Sequence, residues 1–135
     1  MVFVMALTSG CSTFNREWRA ASKIPASTND LAGRWQGSWV SETNGHSGNL
    51  RCLISRQRED AYAARFHAKF MKIFGFGYAV KLETKRTGDT FNFTGSADLG
   101  ALGGVYLYEG HAEGTNFFST YSSKYDHGTF RMRRL

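Results

Sequence analysis

From Ala61 to Phe70 the chain alternates without a break. Tyr62, Ala64, Phe66, Ala68 and Phe70 fall on one side, and Ala63, Arg65, His67 and Lys69 on the other. A helix would spread the charges of Arg65, His67 and Lys69 around its circumference, whereas a strand collects them on one face, so period two wins over period 3.6. The segment reads as a half-buried strand with a cationic outer face. The same rhythm recurs from Arg34 to Ser41, Asn49 to Gln57, Phe76 to Glu83, Thr90 to Ser96, Val105 to Ala112, Thr115 to Ser122 and Thr129 to Arg134. Between these runs lie polar or glycine-punctuated connections: Glu42–Gly48, Arg58–Asp60, Met71–Gly75, Lys85–Asp89, Asp98–Gly104, Glu113–Gly114 and Asp126–Gly128.

About eight short strands joined by hairpins predict an all-β protein. Closure into an antiparallel up-and-down barrel is the favoured architecture, because it removes edges that would otherwise template aggregation; a two-sheet β-sandwich is the alternative. Eight strands enclose an interior just wide enough for side chains or one small ligand. The composition agrees. In 135 residues there are 15 glycines and a single proline, Pro25, which suits glycine-made turns and intact strand ladders. With 41% hydrophobic and 15% aromatic residues, one domain can build a substantial core. The net charge of +6 comes from basic residues scattered through the strands and gathered only at Arg131, Arg133 and Arg134. That pattern reads as a solvated basic surface and predicts no nucleic-acid partner.

Residues 1–11 form an apolar run that ends in Thr8, Ser9, Gly10 and Cys11. This resembles the end of a bacterial lipoprotein signal peptide, whose lipobox places an aliphatic residue and two small residues before the modified cysteine. Leu7 stands one place further from Cys11 than the usual aliphatic position, and no Lys or Arg precedes the run. The segment is far shorter than the roughly 20 residues of a membrane-spanning helix. The resemblance implies cleavage after residue 10, a diacylglyceryl group on Cys11, and, from Ser12 in the following position, transit to the outer membrane facing the periplasm. Residues 11–30 then read as a lipidated tether, with one short helical turn around Asn15 to Ser22, holding a barrel domain of residues 31–135 off the membrane. Cys52, between Leu50 and Ile54 on a strand face, reads as a small buried hydrophobe, and lipidation of Cys11 would leave it without a disulfide partner.

Gly33-Arg34-Trp35 opens the first strand, with Trp35, Gly37 and Trp39 on one face and room at Gly37 between the rings. This resembles the calycin group, the lipocalins and avidins, whose first strand carries Gly-x-Trp and whose last strand lays a basic residue across that Trp. The resemblance spans about Leu31 to Leu135 and implies barrel closure by Trp35 with Arg134, or with Arg133 if the strand ends in a bulge. The short strands are closer to the avidin shape than to the long-stranded lipocalins.

Candidate chemistry is sparse. His46, His67, His111 and His127 stand without ligand spacing, so neither a metal nor a cofactor is expected. Asp126-His127 lacks a nucleophile motif and reads as turn residues. Gly75-x-Gly77 and Gly100-x-x-Gly103-Gly104 lead into strands, where no helix N-terminus would cradle a phosphate. The aromatic set is richer than eight strands need. Trp35, Trp39, Tyr62, Phe66, Tyr78, Phe91, Tyr106, Tyr108 and Tyr121 are the candidate lining of a pocket for a small hydrophobic or flat ligand. Three functions are consistent with the sequence: a membrane-anchored barrel that binds such a ligand or an envelope partner, a cyclase or hydrolase using Glu109, Asp98 or a histidine inside the cavity, and a purely structural envelope domain. An inward acid or histidine would favour the enzyme, and a filled interior the structural domain.

Overall fold

The computed structural model describes residues 13–25, 30–70, 74–98 and 104–135. Eight strands follow in chain order: β1 (Gly33–Ser41), β2 (Ser47–Arg58), β3 (Ala61–Phe70), β4 (Phe74–Thr87), β5 (Thr90–Asp98), β6 (Val105–Glu113), β7 (Asn116–Ser122) and β8 (His127–Arg134). Each pairs antiparallel with its neighbour in sequence, and β1 pairs with β8 from Trp35↔Arg134 to Ser41↔Gly128, so the sheet is a closed up-and-down barrel. The sandwich alternative is thereby excluded. β4 runs on to Thr87, further than the alternation suggested, because Lys85, Arg86 and Thr87 still pair with Asn92, Phe91 and Thr90 although their polarity hides the period.

Strand parity sorts the side chains as a half-buried sheet requires. Trp35, Leu50, Cys52, Ile54, Tyr62, Ala64, Phe66, Val80, Leu82, Phe91, Phe93, Tyr108, Phe117, Tyr121, Phe130 and Met132 all fall in one buried core. The side chains of Phe70 and Phe76 lie outside the described residues.

One end of the barrel is sealed. Residues 30–32 cross beneath it with Leu31 fully buried, and the Trp35 indole nitrogen donates to the Leu31 carbonyl at 3.0 Å. The Arg134 guanidinium lies 4.3 Å from the centre of the Trp35 ring and donates to the carbonyls of Ala32 (2.8 Å), Asp30 (2.5 Å) and Gly114 (3.4 Å). Arg133 points outward and bonds the Thr115 hydroxyl instead. Gly33 explains its own place in Gly-x-Trp: its φ of 132° is a conformation L side chains rarely adopt, and a Cβ there would stand 3.2 Å from Arg134 Nη1. Gly37 answers to a different constraint, since its Cβ would meet the Arg131 carbonyl oxygen at 1.8 Å and force β1 away from β8.

The leader is structured where it is described. Residues 13–21 form a helix, α1, where a tether with a single helical turn was expected. Phe14 and Trp18, one turn apart and stacked at 5.7 Å, lie on the outer wall of β1 to β3. Arg51 and Arg65 cover Phe14 at 5.1 and 5.7 Å, Arg34 and Arg51 cover Trp18 at 5.4 and 5.3 Å, and the His67 ring stacks on Phe14 at 5.5 Å. Glu17 pairs with Arg65, and Arg51 donates to Asn15 at 3.1 Å. Phe14 is consequently only 4% exposed. Residues 1–12, with the expected signal segment and Cys11, lie outside the described residues.

Replacing Trp35 by Ala removes the ring under Arg134 and leaves a cavity in a fully buried position. The expected cost is about 3 to 5 kcal/mol, read as a fall in the urea midpoint at unchanged slope.

Candidate functional site

The inward faces of five strands bring six rings together in the half of the barrel away from the sealed floor. Phe66 on β3 stacks on Tyr78 of β4 at 5.3 Å and packs on Phe130 of β8 at 5.4 Å. Tyr108 on β6 meets Phe130 at 5.8 Å, Tyr121 on β7 stacks on Phe130 at 5.0 Å, and Tyr106 meets Tyr121 at 6.0 Å. Each such pair contributes about 0.5 to 1.5 kcal/mol beyond its buried area. Phe66, Tyr108, Tyr121 and Phe130 are buried, while Trp39, Tyr78 and Tyr106 are partly buried and packed against the core. Burial is thus complete at the base of the stack and partial at Trp39, Tyr78 and Tyr106.

Two mouth connections are braced by side chains that no local pattern would pair. Ser41 Oγ donates to Asp126 Oδ1 at 2.6 Å and accepts the backbone N–H groups of Thr43 and Asn44 at 3.2 and 3.3 Å. The Tyr121 hydroxyl donates to Asp126 Oδ2 at 3.2 Å. Ser123 Oγ in turn accepts from the backbone of Tyr125 and Asp126, both at 3.1 Å. These bonds hold the β1–β2 and β7–β8 connections to each other. Sequence reasoning missed Ser41 and Asp126 because their partnership spans 85 residues. It also left Phe130 out of the pocket set, although the inward parity of Phe130 and Met132 on the last strand was visible.

The nine nominated aromatic residues separate into two groups. Trp39, Phe66, Tyr78, Tyr106, Tyr108 and Tyr121 belong to the half away from the floor. Trp35, Tyr62 and Phe91 belong to the sealed half, where Tyr62 meets Phe91 edge-on at 6.4 Å and Trp35 packs on Phe117 at 5.5 Å. Tyr62 donates its hydroxyl to Asp30 Oδ1 at 2.8 Å. Burial pushes the Asp30 carboxyl up, but the Ala32 N–H, the Tyr62 hydroxyl and the Arg56 charge outweigh it and leave its pKa lowered. The floor is therefore polar-stapled and filled.

The residues considered for catalysis face elsewhere. Asp98 and Glu109 stand exposed on the outer face, as do His46, His111 and His127, and His67 lies on the outer wall against Phe14. His127 reaches Thr43 Oγ1 at 3.1 Å and Glu42 at 3.7 Å. Among the described residues no three His, Cys, Asp or Glu side chains cluster as metal ligands would. Cys52 is fully buried, and desolvation pushes its thiol pKa well up. A concavity of about 710 Å³ opens at the sealed end between Arg56, Arg58, Arg86, Tyr62 and Phe91. Its cations already brace turns: Arg56 donates to the carbonyls of Arg58 and Glu59, Arg86 to that of Gly88, and Arg58 to Asp60.

Burial raises the pKa values of Tyr78, Tyr108 and Tyr121, with the Asp126 charge adding to the effect at Tyr121. All three are therefore neutral in the folded chain at pH values where the unfolded chain ionises. Their contribution is present in full below the ordinary phenol pKa of 10.0 and is lost as pH rises through the higher folded values. Stability should thus fall steeply above pH 10, with the phenolate absorbance of these rings emerging together with loss of near-ultraviolet circular dichroism rather than before it.

No protein-family model matches this sequence, and comparison with characterised proteins finds no match.

Proposed function

We propose that this chain is a lipoprotein of the Gram-negative outer membrane, anchored through Cys11, whose barrel receives a small, flat, apolar ligand in the half away from the sealed floor. The observation that carries the ligand reading is the ring stack over a sealed floor, in which Tyr78 and Tyr106, with the neighbouring Trp39, are only partly buried. Such an arrangement offers ring faces to a ligand from one side only. Recognition rests on shape and stacking, since the Tyr121 hydroxyl is committed to Asp126 and the Tyr78 and Tyr108 hydroxyls bond each other. The inward strand positions among the described residues present neither carboxylate nor imidazole to a bound molecule, which favours binding over the cyclase or hydrolase alternative.

Native mass spectrometry of the purified chain tests the ligand. A co-purifying adduct that Trp39→Ala weakens is the expected result, and a bare protein mass in every preparation would assign the stack to structure alone.

The anchor is tested separately. Each buried CH₂ of an acyl chain contributes about 0.8 kcal/mol, so two or more chains hold a protein durably. A basic residue near an anionic surface contributes about 1 kcal/mol and is screened by salt. Cys11→Ser should therefore move the protein from the membrane to the soluble fraction. Retention of that variant in membranes washed at high salt would overturn the lipid-anchor reading.

A further inference from the structure

Two features on opposite walls mark the same end of the barrel. The first is the direction of α1. Trp18 sits under Arg34 at the start of β1, beside the sealed floor, whereas Phe14 sits on His67, well along β3 toward the mouth. The helix therefore begins on the mouth side, and only residue 12 stands between its first residue, 13, and Cys11. Two residue steps span at most about 7 Å. The second feature is apolar and lies across the barrel from α1. Val105 and Leu107, at the mouth end of β6, are 54% and 58% exposed, and Tyr125, in the connection after β7, is 63% exposed with its ring beside Gly104. The turns at the sealed end carry Arg58, Glu59, Asp60 and Asp89; the exposed Ile24 and Leu135 lie beside that end, next to α1 and the start of β1.

We infer that the barrel stands mouth-down on the bilayer, with the lipid of Cys11 on one side of the mouth and Val105, Leu107 and Tyr125 inserted at the lipid interface on the other. This rests on the lipid-anchor reading for which end is tethered. A single attachment would leave the barrel free to tilt about it, but attachments on opposite walls set the axis upright. Tyr125 suits the headgroup level, where amphipathic rings concentrate, and Glu42, Asp98 and Lys124 on the same rim keep the insertion shallow. The three apolar side chains therefore orient a protein that the acyl chains hold. The consequence for function is that the ring stack opens toward the membrane, so its ligand arrives from the lipid phase.

Orientation can be read independently of whether a cell acylates Cys11. The full chain is coupled through Cys11 to maleimide-headgroup lipid in phosphatidylcholine vesicles with brominated acyl chains; Cys52, being fully buried, does not compete. Tryptophan quenching is then compared for Tyr125→Trp at the mouth and Asp89→Trp at the opposite turn, each relative to the parent chain. Quenching of Tyr125→Trp beyond Asp89→Trp, lost when Val105→Lys and Leu107→Lys are added, is the expected result. Equal quenching at the two sites, greater quenching of Asp89→Trp, no quenching at either, or quenching that survives the two lysines would overturn the orientation. Failure of the anchor itself appears instead in the Cys11→Ser fractionation.

Discussion

The Arg134 guanidinium holds together parts of the chain that have no other reason to meet. Its face covers the Trp35 ring, while its edge donates to carbonyls of the segment before β1 and of the β6–β7 turn. A planar fork can do both at once, which a lysine ammonium cannot. Desolvation pulls its pKa down, with the nearby Asp30 charge opposing. The bonded partners are carbonyl dipoles; the Asp30 carboxylate itself turns toward Tyr62 and the Ala32 N–H. Because Trp35 and Arg134 are also register partners, the contact that plugs the floor fixes the β1–β8 seam, and that seam makes the sheet a barrel without edges.

That contact also divides the interior into two regimes. Below it Leu31, Trp35, Tyr62, Phe91, Phe93 and Phe117 fill the space, with Phe93 and Phe117 stacked at 4.9 Å. Above it the filling is mostly phenol and phenyl rings, and the connections are held by Ser41, Asp126 and Ser123. The interior is thus held by a plug of buried side chains at one end and by hydrogen bonds between the β1–β2 and β7–β8 connections at the other.

The strands were legible because each carries its charges on one face, and Ala61–Phe70 is the clearest case. The choice between Arg134 and Arg133 was legible from parity too, since Phe130 and Met132 carry Arg134 inward with them. The docked helix was not. A helix that packs on a core normally shows an apolar stripe, and 13–21 has only Phe14 and Trp18 to show. Its partners are guanidinium groups on the outer wall, which in sequence look like solvated charge. The one available signal was the aromatic pair at i, i+4 with Glu17 beside it. The Ser41–Asp126–Tyr121 bonds left no trace either, because hydrogen bonds between distant loops impose no periodicity.

The same blindness applied to the net charge. Seven arginines, Arg34, Arg51, Arg56, Arg65, Arg86, Arg131 and Arg134, lie over aromatic rings of this same chain, at 4.3 to 6.0 Å from the ring centres. An arginine stem covers apolar surface while its flat head stacks, so these residues act as packing material on the outer wall and at the sealed end. Six of the seven stack on rings of α1, the floor or the sealed end; Arg131 over Phe118 is the exception. A basic excess built this way lies in good part against the protein's own rings, so seven of the 17 basic residues contribute packing as well as charge.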